Sequence, residues 1–212
     1  MNIIKTEALK KSIKGALVLN HVDFQMESGK IYGLVGKNGS GKTMLIRALS
    51  GLMRPTEGRV LYNHLELYKD IDYIPSLGIV VENAGLYPEF TGFKNLQILA
   101  AVQKKITDED IKKAIARVGL DPEDKRTVKK YSLGMKQRIV LAQAIMERPD
   151  VLLLDEPTNA LDESGIEIIR NICREEAARG AIVLIASHNK EDIESLCDFK
   201  YRMEAGRIFG FD

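Results

Sequence analysis

Residues 31–43 read IYGLVGKNGSGKT. The apolar run IYGLV has strand character and enters a complete GxxxxGK[ST] loop. The run KTMLIRALSGL (42–52) then carries helical periodicity. A strand, a glycine loop and a helix in that order make a cradle for phosphate. Gly36, Gly39 and Gly41 let the backbone wrap closely around an anion and turn successive N–H groups inward. The start of the helix adds free donors and a favourable dipole. Lys37, Asn38, Ser40 and Met44 complete the expected contact surface. Lys42 is expected to reach the β- and γ-phosphates of a nucleotide, and the Thr43 hydroxyl to ligate Mg²⁺.

A second stretch, VLLLDEPTNALD at 151–162, specifies chemistry. Its apolar run ends on Asp155, which places a carboxylate at the carboxyl end of a strand, where ligands collect in parallel sheets. Asp155 suits Mg²⁺, through water. Glu156 is the candidate general base for an attacking water.

The rest of the chain sets bounds. Its 212 residues can bury one good core or two modest lobes. The formal net charge of +1 gives no global attraction to nucleic acid, so no nucleic-acid partner is expected. Cys173 and Cys197 lack metal-ligand spacing and read as reduced thiols of a cytosolic protein. Residues 1–14 lack the apolar core of a secretory signal. No segment approaches the roughly 20 apolar residues needed to span a bilayer. If the protein powers transport, the pore belongs to another polypeptide.

Along the chain, 18–26 and 30–36 read as strands joined by a turn at Ser28 and Gly29, with short strands at 59–62 and 78–82. Residues 42–52, 92–104, 108–118 and 134–147 read as helices. After Pro149 the expected order is strand (151–155), helix (163–178), strand (181–187), helix (190–197) and a terminal strand pair. VLLLD and AIVLIAS are apolar throughout, as in the buried interior of a parallel sheet. The helix-rich middle reads as a lobe inserted into an α/β nucleotide-binding core.

One more stretch narrows the class. YSLGMKQR at 131–138 is a Ser-Leu-Gly turn that opens a helix. GKNGSGKT, the segment GIVVENAGLYPEFTGFKNL (78–96), YSLGMKQR, VLLLDEP, NALD and Ser187-His188 occur in the order found in ATP-binding cassette (ABC) proteins. The chain resembles an ABC transporter ATP-binding subunit from end to end. The SLGMKQR form is similar to bacterial drug- and peptide-export or immunity-type cassettes. The resemblance implies an α/β fold: a P-loop NTPase core of RecA-like type with a mainly parallel sheet, a small antiparallel β region and an inserted α-helical subdomain. The core would comprise about 1–82 and 145–212, and the helical subdomain about 83–144.

By the same resemblance, two subunits, identical or different, close on ATP and Mg²⁺. Ser132 and Gly134 would act on ATP held by the partner's phosphate loop, and loop 159–162 would lie at the seam with Asp162 contacting the opposite subunit. His188 would be the switch histidine that contacts the γ-phosphate, to which an imidazole N–H can donate. Glu82 aligns with the glutamine that ligates Mg²⁺, and Ile13 with the aromatic residue that stacks on adenine. Met44 stands where a second hydroxyl residue is usual, and Leu133 and Met135 replace small and polar residues. Residues 86–93, with Tyr87, Phe90 and Phe93, would receive a transmembrane permease subunit. The protein would then be a cytoplasmic ATPase on the inner face of the membrane, powering export. A soluble ABC-type ATPase acting on DNA or ribosomes is the second reading. The single cassette, near-zero charge and lack of a long heptad run weigh against it.

Overall fold

The computed structural model describes residues 1–81 and 85–210. Glu82, expected to ligate Mg²⁺, lies outside the described residues. In chain order these form β1 (Ile3–Ile13), β2 (Ala16–Glu27), β3 (Lys30–Val35), α1 (Lys42–Leu49), β4 (Glu57–Tyr62), β5 (Leu65–Glu66), β6 (Leu77–Val80), α2 (Gly92–Gln103), α3 (Asp108–Arg117), α4 (Leu133–Ile145), β7 (Val151–Asp155), α5 (Glu163–Ala178), β8 (Ile182–Ser187), α6 (Lys190–Leu196), β9 (Phe199–Glu204) and β10 (Arg207–Gly210).

The main sheet has the order β10-β9-β3-β8-β7-β6. Its pairings are parallel except for the terminal β9–β10 hairpin. β7 and β8 are buried at every position, because both faces of the sheet are covered. Leu152, Leu154, Val183 and Ile185 point into one core with residues of α3, α4 and α5. Their neighbours Val151, Leu153, Ile182 and Leu184 point into the other, with α1 and the second sheet. This is the two-residue alternation of a strand, with both sides apolar.

The second sheet, β2-β1-β4-β5, is antiparallel. Two of its strands, β1 and β5, lie outside the sequence reading. The expected turn at Ser28 and Gly29 does join β2 to β3, and those two strands belong to different sheets. β1 escapes a period-two reading because its register shifts between Thr6 and Leu9, with Ala8 at φ 45°. Such a bulge breaks the alternation that would mark a strand.

The helices begin where side chains can satisfy their first N–H groups. Thr91 caps α2, and Thr107 with Asp110 forms a capping box on α3. Ser132 caps α4 and Asp162 caps α5. α3 is tied to α5 by ions: the buried Glu176 carboxylate takes Arg117 Nη2 at 2.9 Å and Arg179 Nη2 at 2.6 Å. Cys173 and Cys197 are buried, and burial raises both thiols, Cys197 to about 12. Neither offers a thiolate at neutral pH.

Candidate nucleotide site

Three adjacent strands, β3, β8 and β7, deliver the chemical groups. The loop after β3 curls over the start of α1. Gly41 has φ +111°, and a Cβ built there would lie 2.7 Å from the Val18 carbonyl oxygen. A Cβ on Gly36 would lie 2.5 Å from the Met203 carbonyl oxygen. Only glycine lets the loop seat this closely against β2 and β9. Lys42 is buried, and its Nζ donates to the Gly36 carbonyl at 2.6 Å. The buried Ser40 hydroxyl has no hydrogen-bond partner among the described residues, so it is available to a ligand in the loop.

Thr43 Oγ1 donates to Asp155 Oδ2 at 2.6 Å, joining the loop to the end of β7. These are hard oxygen donors and fit Mg²⁺. Among the described residues no group of three His, Cys, Asp or Glu side chains is placed to hold a metal. The two side chains would therefore share the ion with phosphate and water, as Mg²⁺ commonly does.

Glu156 follows Asp155 with φ 48°, an uncommon angle for a residue with a side chain. Its N–H donates to the Ala186 carbonyl at 2.8 Å, which anchors the turn to β8. The carboxylate is held on both sides. Oε1 lies 3.3 Å from Lys42 Nζ. Oε2 lies 2.8 Å from His188 Nδ1 and accepts the His188 backbone N–H at 3.2 Å. One carboxylate thus spans the lysine that opens α1 and a histidine just past the end of β8.

An open cleft of about 740 Å³ adjoins the loop, lined by Lys37, Asn38, Ser40, His188, Arg202 and Glu204 among others. Arg202 carries no sequence motif and was missed. Its guanidinium pairs with Glu204 at 3.1 Å and lies 5.3 Å from the centre of the Phe209 ring. Met44 is half-buried and packs on the core beneath α1. Ile13 lies outside the cleft lining, at the end of β1 opposite Ala16, and is 39% exposed.

Ser132, Gly134 and Asp162 form a separate group. Ser132 Oγ accepts the Met135 N–H at 3.2 Å, so it caps its own helix while remaining exposed. A Cβ on Gly134 would lie 3.1 Å from the Ala160 carbonyl oxygen. Asp162 Oδ1 accepts from the Gly165 N–H at 2.9 Å and the Ser164 hydroxyl at 3.0 Å, and pairs with Arg138 at 3.2 Å. The Gly165 N–H, the Ser164 hydroxyl and the Arg138 charge hold this carboxyl below its usual range.

A model of the ABC transporter family matches residues 19–159, from β2 through the phosphate loop, the Ser132 turn and the Asp155-Glu156 pair. The chain belongs to the ABC transporter family. This ABC cassette is 50% identical over 206 residues to the uncharacterized ABC transporter ATP-binding protein YybJ of Bacillus subtilis, covering 97% of this chain and 94% of that protein. It is 34% identical to the lantibiotic transport ATP-binding protein SrtF of Streptococcus pyogenes, covering 97% and 89%. A dimeric bacterial ABC transporter cassette, MJ0796, shares the fold at a TM-score of 0.87 and 20% identity, covering 97% of this chain and 96% of that one. The cassette is an ATP-binding, ATPase-type domain. No helix among the described residues is long and apolar enough to cross a membrane.

Proposed function

We propose that this ABC cassette hydrolyses ATP in a two-subunit sandwich and so drives a separate membrane permease, as an exporter. The observation that carries the reading is the Glu156 carboxylate held between Lys42 and His188. When triphosphate enters the loop, Lys42 moves from the Gly36 carbonyl and Glu156 to the β- and γ-oxygens. Glu156 then faces the water. The water oxygen forms a bond to the γ-phosphorus as the bond to the β,γ-bridging oxygen breaks. Glu156 takes the water's proton, leaving ADP and phosphate. His188 donates to a γ-oxygen and keeps Glu156 aimed. Mg²⁺ supplies positive charge that offsets the charge developing on the transferred group. Thr43 and Asp155 would hold it, with Glu82 as a further oxygen ligand.

Ser132 lies away from its own cleft, at an exposed helix start. That supports a role on the nucleotide of a second copy, giving two equivalent half-sites across a twofold axis. Tyr87 and Phe90 are exposed with ring centroids 5.9 Å apart, an apolar handle for the permease. That contact would hold residues 83–144, as a helical subdomain, at the inner face of the membrane. The similarity to a lantibiotic transport protein supports a peptide antimicrobial as the exported class.

The test is Glu156→Gln with ATP and Mg²⁺. Hydrolysis should fall by about 10²–10⁴-fold, and the protein should elute as a dimer on a sizing column. Hydrolysis at the parent rate removes Glu156 as the base. A monomer at saturating ATP, with and without permease, refutes the sandwich.

A further inference from the structure

Asp192 lies on α6, one turn beyond His188, and is buried. Its carboxylate joins three elements. Oδ2 accepts the hydroxyl of Thr158, which stands two residues after Glu156, at 2.9 Å. Oδ1 accepts Arg170 Nη2, from α5, at 3.2 Å, and that charge offsets the buried carboxylate. α6 is itself fixed to the sheet, because the buried Ile193 fills the space over Gly33 of β3 where a side chain would collide. The turn after Glu156 has weaker local support. Its Asn159 N–H donates to the Glu156 carbonyl at 3.3 Å and its Leu161 N–H to the Thr158 carbonyl at 3.2 Å. The His188 ring is half exposed and rests on Glu156 Oε2.

We infer that Asp192 is a positioning residue for hydrolysis: by holding Thr158 it fixes the turn that carries Glu156 against the helix that follows His188, and so sets the contact between carboxylate and imidazole within one subunit. The inference rests on the proposed role of Glu156 as base. Two links close one circuit. Glu156 meets His188 directly, and the chain runs on from each of them to the Thr158–Asp192 bond. With that bond broken, the Glu156–His188 contact must hold the circuit alone. A misplacement of about 1 Å costs on the order of 10²-fold in rate, so a small drift of the base is felt. A buried carboxylate is costly, and an apolar side chain would satisfy packing at least as well. Keeping Asp192 here suits alignment, because only an oxygen acceptor can take the Thr158 hydroxyl and Arg170 together.

The test measures hydrolysis, as release of labelled phosphate, and ADP affinity in EDTA. Thr158→Val keeps the shape and removes the hydroxyl, Thr158→Ala removes it without adding an apolar branch, and Thr158→Ser restores it. In Thr158→Val and Thr158→Ala kcat should fall about tenfold, while KM and ADP affinity do not weaken, because the phosphate loop is untouched. Thr158→Ser should stay within about twofold of the parent. In a His188→Ala background Thr158→Val should cost less than about twofold more, because the contact it protects is already gone. A kcat equal to the parent in Thr158→Val and Thr158→Ala overturns the inference. So does a full tenfold loss in the His188→Ala background, which would place the effect outside the Glu156–His188 contact. A loss shared with ADP affinity and not relieved by serine also overturns it, because that marks the bond as only a support of the fold. Hydrolysis at the parent rate in Glu156→Gln refutes the base itself, and the inference with it; a slow Glu156→Gln beside a parent-like Thr158→Val refutes the inference alone.

Discussion

Without nucleotide, Lys42 and Glu156 satisfy each other, and every phosphate that enters the loop must compete with that pair. Glu156→Gln should therefore tighten ADP. The two charges are 3.3 Å apart, with side chains only 5% and 12% exposed. Coulomb attraction at that separation is about 5 kcal/mol at an effective dielectric of 20 and about 1.3 kcal/mol in water. Glutamine returns part of this, because its single oxygen can still accept from Lys42 or from the His188 N–H, though not from both. A net release of about 1–2 kcal/mol corresponds to roughly 5- to 30-fold tighter binding, at 1.4 kcal/mol per tenfold. Calorimetric titration with ADP in EDTA isolates the effect, since ADP is the product and the metal is chelated. ADP affinity within twofold of the parent, or weaker, would show that the pair does not hold Lys42 back from phosphate.

Three further outcomes are expected. Ile13→Tyr should tighten ATP and widen the preference for ATP over GTP, because ring stacking on a base contributes about 1–3 kcal/mol; unchanged affinity in a fluorescence titration would place the base away from Ile13. Glu176→Gln should cost about 1–3 kcal/mol, since it leaves Arg117 and Arg179 facing a neutral group, although Arg117 keeps Glu175 at 2.7 Å. A calorimetric melt should fall by several degrees at this size, and an unchanged melt would mean the cluster contributes nothing. The Asp162 carboxyl is lowered chiefly by the Gly165 N–H, so its stabilisation is complete above the ordinary Asp value near 3.9 and fades as pH falls through the depressed folded value. The stability gap between the parent and Asp162→Ala, from urea melts, should narrow below about pH 4; a constant gap down to pH 2 would show that the cap does not depend on the charge.

The sequence disclosed what lies contiguous in it. The phosphate loop, β7 and β8 each carry their own signal, so Lys42, Thr43, Asp155, Glu156 and His188 could be named before their geometry was known. The long-range joins could not. Thr43 and Asp155 are 112 residues apart, and nothing in either motif announces that hydrogen bond. REEAAR at 174–179 looks like an exposed charged helix, yet Glu176 is buried because Arg117 arrives from α3. Arg138 reads as one basic residue among several, and its pairing with Asp162, 24 residues on, is set only by the fold. β1 was illegible for a local reason, since its bulge puts Glu7 and Ala8 where one residue should alternate.

The order of the main sheet also bears on how the protein is made. β3 and β7 carry the phosphate loop and the two carboxylates, but they never touch; β8 lies between them and pairs with both. Translation delivers β8 only at 182–187, after the residues of the phosphate loop and of β7 have been synthesised. A nascent chain of 180 residues therefore holds the motifs with no strand to set their register, and His188 is missing as well. It can collapse around its finished parts, but it has no assembled centre with which to consume ATP.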